Sequence, residues 1–293
     1  MRILFAYLSL ILLWSTTPLA IQWSSNGVGF LFSATARMIL GLICVSLILL
    51  PMRQPLAWHR KACFTYLAVA TQLYASMVIV YWAAQFLPSS WVSVVFGLVP
   101  LMTAIIAALY LGERSLTIGK ISSYALGLGG LILMFGSALQ LGSAAVWAIA
   151  SLLGAAFLQA ASAVWVKQIN AQLPALVQVA GGLLLAVPAY AITWWIWDGQ
   201  WPVNITLKTL SAILYLGVLA TTFGFALYYF ILKHLAASRV ALISLISPVL
   251  ALLLGHYLNH EPLTLKIIQG VGLILGALIL HEFADYRLRQ AIA

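Results

Sequence analysis

Charge is what this sequence has least of. Only 6% of its 293 residues are Asp, Glu, Lys or Arg, where a soluble domain carries about 25%. A globule so short of charge cannot cover its own surface, which excludes a soluble enzyme, a disordered chain and a nucleic-acid binder. Acidic residues are the scarcest, 5 against 14 basic ones. No carboxylate and no histidine falls at the middle of an apolar stretch, so a carboxylate proton relay lacks its residues. Long polar stretches are absent too, which leaves no room for a soluble domain. The two cysteines, Cys44 and Cys63, are too few for a disulfide framework or a Cys-based metal site. What remains is apolar: 64% of the chain is hydrophobic and the mean hydropathy is +1.09. At about 20 residues per span, that content supplies on the order of ten membrane helices.

Ten apolar segments can be marked, at 3–22, 30–50, 62–85, 89–111, 117–137, 144–166, 174–197, 209–232, 238–258 and 264–283. They are apolar all round rather than alternating, so helices are expected and a β-barrel is not. The first segment follows Arg2 and ends near Pro18-Leu19-Ala20 like a signal peptide, but nine more follow, and a retained first span is expected. With the N-terminus inside, Arg2, Arg53, Arg60, Lys61, Arg114, Lys120, Lys167, Lys233, Arg239, Arg287 and Arg289 face the cytoplasm. Only Lys208 and Lys266 face the other side, a strong positive-inside bias. Both termini are therefore expected in the cytoplasm, and the net charge of +9 is read as topological rather than as a mark of an acidic partner.

The sequence repeats itself at a spacing of 148 residues: Tyr81 falls on Tyr229, Leu87 on Leu235, Ser90 on Ser238, Pro100 on Pro248 and Glu113 on Glu261. Five spans per half is an odd number, so the halves insert with opposite orientations. Inverted repeats of this kind are common in secondary transporters that alternate access around a central site. The predicted fold is an all-α membrane protein of ten transmembrane helices in two inverted five-helix repeats, 1–140 and 141–293.

Leu13-Trp14-Ser15 in the first segment, Arg37 in the second, and the helix ends Pro100…Leu111-Gly112-Glu113-Arg114 and Pro248…Glu261-Pro262-Leu263-Thr264 carry a pattern. In their order and spacing the chain resembles the drug/metabolite transporter superfamily, specifically its EamA-type bacterial members, over almost its whole length. His260 stands where the first half has Gly112, and Ser162 where the repeat would pair Trp14. The resemblance implies an inner-membrane carrier, typically an exporter of metabolites or amino acids, with a cavity lined by segments 1, 3, 4, 6, 8 and 9. The cargo expected is a small metabolite, amino acid or amphipathic drug; related carriers move very different solutes, so no single substrate follows.

Polar and aromatic groups at mid-depth are the substrate-binding candidates: Trp14, Ser15 and Thr16; Gln72, Tyr74 and Tyr81; Gln159 and Trp165; Thr221, Thr222 and Tyr229; Ser244 and Ser247. The competing reading is that such hydroxyls hold helices together and that Trp and Tyr mark interfaces. Arg37 is the one charge well inside a segment, roughly 10 Å from its outer edge. It is read either as a partner for a substrate carboxylate or as a snorkelling brace. Hinge or gating roles fall to Pro18, Pro100 and Pro248, where proline weakens the helix. They fall also to the helix-end glutamates Glu113 and Glu261, for which capping a neighbouring helix is one structural role.

His256 and His260 share a helix face beside Glu261 and are weak metal candidates; the order is not the His-Glu-x-x-His of metalloproteases. No cofactor is expected. The rival classes are a membrane-embedded metal-dependent enzyme and a passive channel. The first would need a catalytic cluster, the second a ring of polar groups along one pore. Facilitated diffusion or exchange fits the residues best, with coupling through the helix-end glutamates as the alternative. The expected partners are a small-molecule substrate and the lipid bilayer, with no nucleic acid, and the carrier works as a monomer or a homodimer.

Overall fold

A computed structural model describes residues 2–110, 118–138, 142–235, 240 and 243–292. Glu113 and the side chain of Ser244 lie outside the described residues. All regular structure among those described is helical. The helices are α1 (Arg2–Ser25), α2 (Phe30–Met52), α3 (Arg60–Ala83), α4 (Ser89–Tyr110) and α5 (Ile118–Ala138). They continue as α6 (Ser143–Ile169), α7 (Ala175–Trp197), α8 (Leu207–His234), α9 (Ile243–Asn259) and α10 (Leu265–Ile292). Seven of them, α1 to α4 and α6 to α8, are long and apolar enough to cross a membrane.

The surface has the polarity of a lipid-facing one. Leu8 and Leu12 on α1 and Ile43, Leu47 and Leu50 on α2 are exposed at helical spacing, an apolar area that water would not tolerate and a bilayer does. Trp147, Trp195, Trp197 and Trp201 are exposed near helix ends, the level at which indoles sit between headgroups and acyl chains.

Small residues set the closest helix approaches. Helices α5 and α10 pair with each other and touch the rest of the described bundle lightly; a Cβ on Gly130 would stand 2.6 Å from the Gly270 carbonyl oxygen. Among the other helices, α1 lies on α9 and α6 on α4, while α3 lies on α7 and α8 on α2.

Helix α4 is broken. Ser89–Phe96 and Val99–Tyr110 are separate helical stretches joined by a turn at Gly97 and Leu98. Pro100 has no N–H to donate and is tolerated only in the first turn of a helix, and it stands there, second in the stretch that Val99 opens. Gly97 rests on α9 and α10: its Cβ would lie 3.6 Å from Pro248 Cγ and 3.3 Å from Ile274 Cγ2. Pro248 itself sits inside a continuous α9.

Candidate functional site

Two π-helical turns shape the middle of the bundle, Thr71–Ser76 in α3 and Tyr215–Gly224 in α8. A π turn widens the helix, frees carbonyls and is often found where a side chain must be aimed at a site. Both turns carry polar side chains, Gln72 in the first and Thr221 and Thr222 in the second.

Helix α2 can reach the second π turn because the crossing is built on glycine. A Cβ on Gly217 would stand 2.7 Å from Leu40 Cβ and 3.1 Å from the Arg37 carbonyl oxygen, and one on Gly41 would stand 2.6 Å from Thr221 Cγ2. At this distance Arg37 Nε donates to Thr221 Oγ1 at 2.8 Å, and Nη1 donates to the Tyr81 hydroxyl at 3.5 Å. The guanidinium carbon lies 5.9 Å from the centre of the Tyr81 ring. Arg37 is 1% exposed, and no carboxylate reaches it among the described residues.

Gln72 is fully buried. Its Oε1 accepts the Tyr229 hydroxyl at 2.9 Å, and its Nε2 has no partner among the described residues. Arg37 and Gln72 both line a cavity of about 80 Å³, room for several waters or part of a small solute. Helices α1, α2, α3, α4, α6, α8 and α9 all contribute to its wall. Trp14, Phe96 and Phe225 give it aromatic sides, and Gln159, Ser93 and Ser247 add polar ones. The Trp14 ring is steadied by Tyr228, 5.1 Å away between centroids.

Of the residues singled out from sequence, Trp14, Pro18, Arg37, Gln72, Gln159 and Ser247 come together on this wall. Tyr81, Thr221 and Tyr229 stand behind it, each bonded to Arg37 or Gln72. Ser15 is turned onto the Ile11 carbonyl at 2.7 Å, and Thr222 onto the Gly217 carbonyl at 3.1 Å. Thr16 bonds to the Tyr215 hydroxyl and to carbonyls of its own helix. Tyr74 lies in a separate groove with Thr193 and packs edge-on against Tyr190, 5.0 Å between centroids. Trp165 is half-buried and is not part of the cavity wall. Thr17, part of the polar run 14–18 of the first segment, lines the cavity too, and Ser93, Phe96 and Phe225 line it without having been singled out. A phenylalanine gives no signal in so apolar a chain, and a single serine gives little.

A second constellation ties helix ends together at one end of the bundle. The N-terminus of α4 begins after Pro88, which offers no side-chain acceptor to the free amides. Glu261, beyond the end of α9, supplies it. Its Oε1 accepts the Ser89 amide at 2.8 Å and hydroxyl at 2.6 Å, and its Oε2 accepts the Ser90 amide at 3.2 Å and hydroxyl at 2.7 Å. Asn259 Nδ2 adds a bond to Oε1 at 3.2 Å and one to Gln22 Oε1 at 3.1 Å. Gln22 Nε2 in turn donates to the Leu87 carbonyl at 2.6 Å. The ends of α1 and α9 and the start of α4 are thus tied by one network. The turn that delivers the carboxylate puts His260 at φ +54° and folds Glu261 back over Gly255, where a Cβ would stand 2.4 Å from Oε2. Burial pushes the Glu261 carboxyl up, but the serine hydroxyl and amide donors outweigh it and hold it below the usual carboxylate range.

His256 Nδ1 faces the Glu261 carbonyl oxygen at 3.0 Å. Among the described residues no three His, Cys, Asp or Glu side chains converge as a metal site would require.

The EamA-like transporter family model matches the chain twice, at residues 1–136 and 146–281. An uncharacterized transporter of Bacillus subtilis (strain 168), YoaV, is 24% identical over 288 residues, 98% of each chain. An uncharacterized transporter of Archaeoglobus fulgidus is 28% identical over 198 residues, 65% of this chain and 66% of that protein. A solved crystal structure, 20% identical, superposes with a TM-score of 0.71 over 96% of this chain and 97% of that one, a likeness of fold. An all-helical, multi-pass architecture and a family match spanning nearly the whole chain lead to one conclusion: this protein belongs to the EamA-like transporter family and is a membrane transporter.

Proposed function

We propose that the protein is a secondary carrier of the cell inner membrane, with ten transmembrane helices in two inverted five-helix repeats and both termini in the cytoplasm. It moves small metabolites, amino acids or amphipathic solutes by alternating access through the cavity at Arg37 and Gln72, and export is the direction we assign to it. The observation that carries the reading is the cavity itself: mid-bundle, lined by polar and aromatic side chains together, and walled by helices from both halves of the chain.

Three further observations support it. The family model matches once in each half. The helix contacts are themselves repeated, since α1 on α9 corresponds to α6 on α4, and α3 on α7 to α8 on α2. The π turn at Thr71–Ser76, moved by the sequence repeat, falls inside that at Tyr215–Gly224. With the termini inside, the Glu261 network lies at the outer end and holds that end shut. The Gly97–Leu98 break, packed beside Pro248, is where α4 bends as the network parts.

A thermal-stability screen of the purified protein against metabolites and amino acids tests this reading, because a ligand that binds the folded state raises its apparent stability. At least one small polar solute is expected to stabilise the protein, and the Gln72→Ala and Trp14→Ala variants are expected to lose that shift. Stabilising solutes that ignore both substitutions would overturn the assignment of the site.

A further inference from the structure

The cavity carries an electrostatic asymmetry that narrows its cargo. Arg37 brings a buried cation to the wall with no carboxylate near it among the described residues, while Thr221 and Tyr81 engage only part of the guanidinium. Gln72 adds a buried amide N–H with no partner. A buried unpaired charge and an unmade hydrogen bond both cost free energy, and an anion with two oxygens, held in the cavity that both groups line, has the chemistry to offset both. The planar guanidinium, already held at Nε, presents its remaining N–H groups in the geometry that a carboxylate accepts as a pair. The rest of the wall is apolar or neutral, with Trp14, Phe96 and Phe225 suited to a hydrophobic body. A second negative charge, or a positive one, would find no counter-charge there.

Resting on the carrier reading above, we propose that the cavity takes a small organic monocarboxylate with an apolar body. Its carboxylate binds Arg37 and the Gln72 amide N–H, in preference to neutral or cationic solutes of the same shape. Arg37 and Gln72 are then specificity-determining residues.

Benzoate, benzamide and benzamidine share one shape and carry negative, zero and positive charge. Their equilibrium binding to the purified full-length protein is the test. Benzoate is expected to bind at least ~30-fold more tightly than benzamide, with benzamidine weakest, and Arg37→Gln is expected to erase the difference. Should Arg37→Gln fail to fold, Gln72→Glu keeps the acceptor for Tyr229 but sets a carboxylate on the cavity wall that Arg37 also lines. It is expected to weaken benzoate relative to benzamide at least ~10-fold. Equal binding of the three probes, a preference for benzamidine, or no measurable benzoate binding would overturn the proposal. The carrier reading fails separately. In proteoliposomes, benzoate flux that neither saturates nor shows counterflow contradicts a carrier, whatever the charge preference in binding.

Discussion

Replacing Glu261 by alanine is expected to destabilise the protein by about 2–4 kcal/mol, because it strands two amides and two hydroxyls at the start of α4. Those groups have no other acceptor at hand, since Pro88 occupies the position where a capping side chain would stand. The carboxylate also lies at the positive end of the α4 dipole, which adds to the loss. Glu261→Gln is expected to cost less: its amide oxygen still accepts from one serine, while its NH₂ meets the donors of the other.

The pH dependence has a definite sign. The carboxyl is held below its ordinary range in the folded protein, so its contribution is fully present above the unfolded-state value and is lost as pH falls through the lower, folded-state one. Melting temperature against pH should therefore show an acid-side decline that Glu261→Gln flattens. A wild-type profile that matches the Gln variant through that range would remove Glu261 as the lock.

Gly217→Leu is expected to cost about 3 kcal/mol or more and to disable the site at the same time. The new side chain starts 2.7 Å from Leu40 Cβ and 3.1 Å from the Arg37 carbonyl oxygen; the second is backbone, so the helices themselves must separate. That separation withdraws Thr221 from Arg37 Nε and frees the guanidinium from the bond that orients it. Gly154 on α6 is the matched control, with nothing within 4 Å of its Cβ position. Gly154→Leu should leave both stability and ligand binding close to wild type. Melting temperatures and ligand-induced shifts of the two variants, measured side by side, check both expectations.

The helices were legible because lipid exposure writes itself into composition. The apolar segment at 30–50 became Phe30–Met52, and that at 174–197 became Ala175–Trp197. The break in α4 was visible as Pro100 but not in place, since the backbone yields at Gly97 and Leu98, where glycine allows close packing on α9 and α10. The candidate site's lining was legible where polarity is costly: Arg37 and Gln72, both on the cavity wall, stand out in apolar segments because a buried charge or amide needs a reason. Their partners were not. That Tyr229 serves Gln72 and Thr221 serves Arg37 depends on two π turns and a glycine crossing, which no periodicity of single residues encodes. The hydroxyls of Ser15 and Thr222 look like those of Ser93 and Ser247 in sequence. Yet the first two do not line the cavity while the other two do, Ser247 even though its hydroxyl, like theirs, donates to a carbonyl of its own helix, that of Ile243 at 3.0 Å.

Two-sided access to the cavity tests the carrier mechanism most directly. A single thiol is placed there as Ser93→Cys, with Cys44 and Cys63 replaced by serine, and labelled with a membrane-impermeant reagent in right-side-out and inverted vesicles. An alternating-access carrier gives labelling from both faces. Glu261→Gln should then raise the outer rate and lower the inner one, because the two openings exclude each other. Labelling from one face alone in both proteins, or equal rates from both faces that Glu261→Gln leaves unchanged, would contradict it: the first marks a blind pocket, the second an open pore.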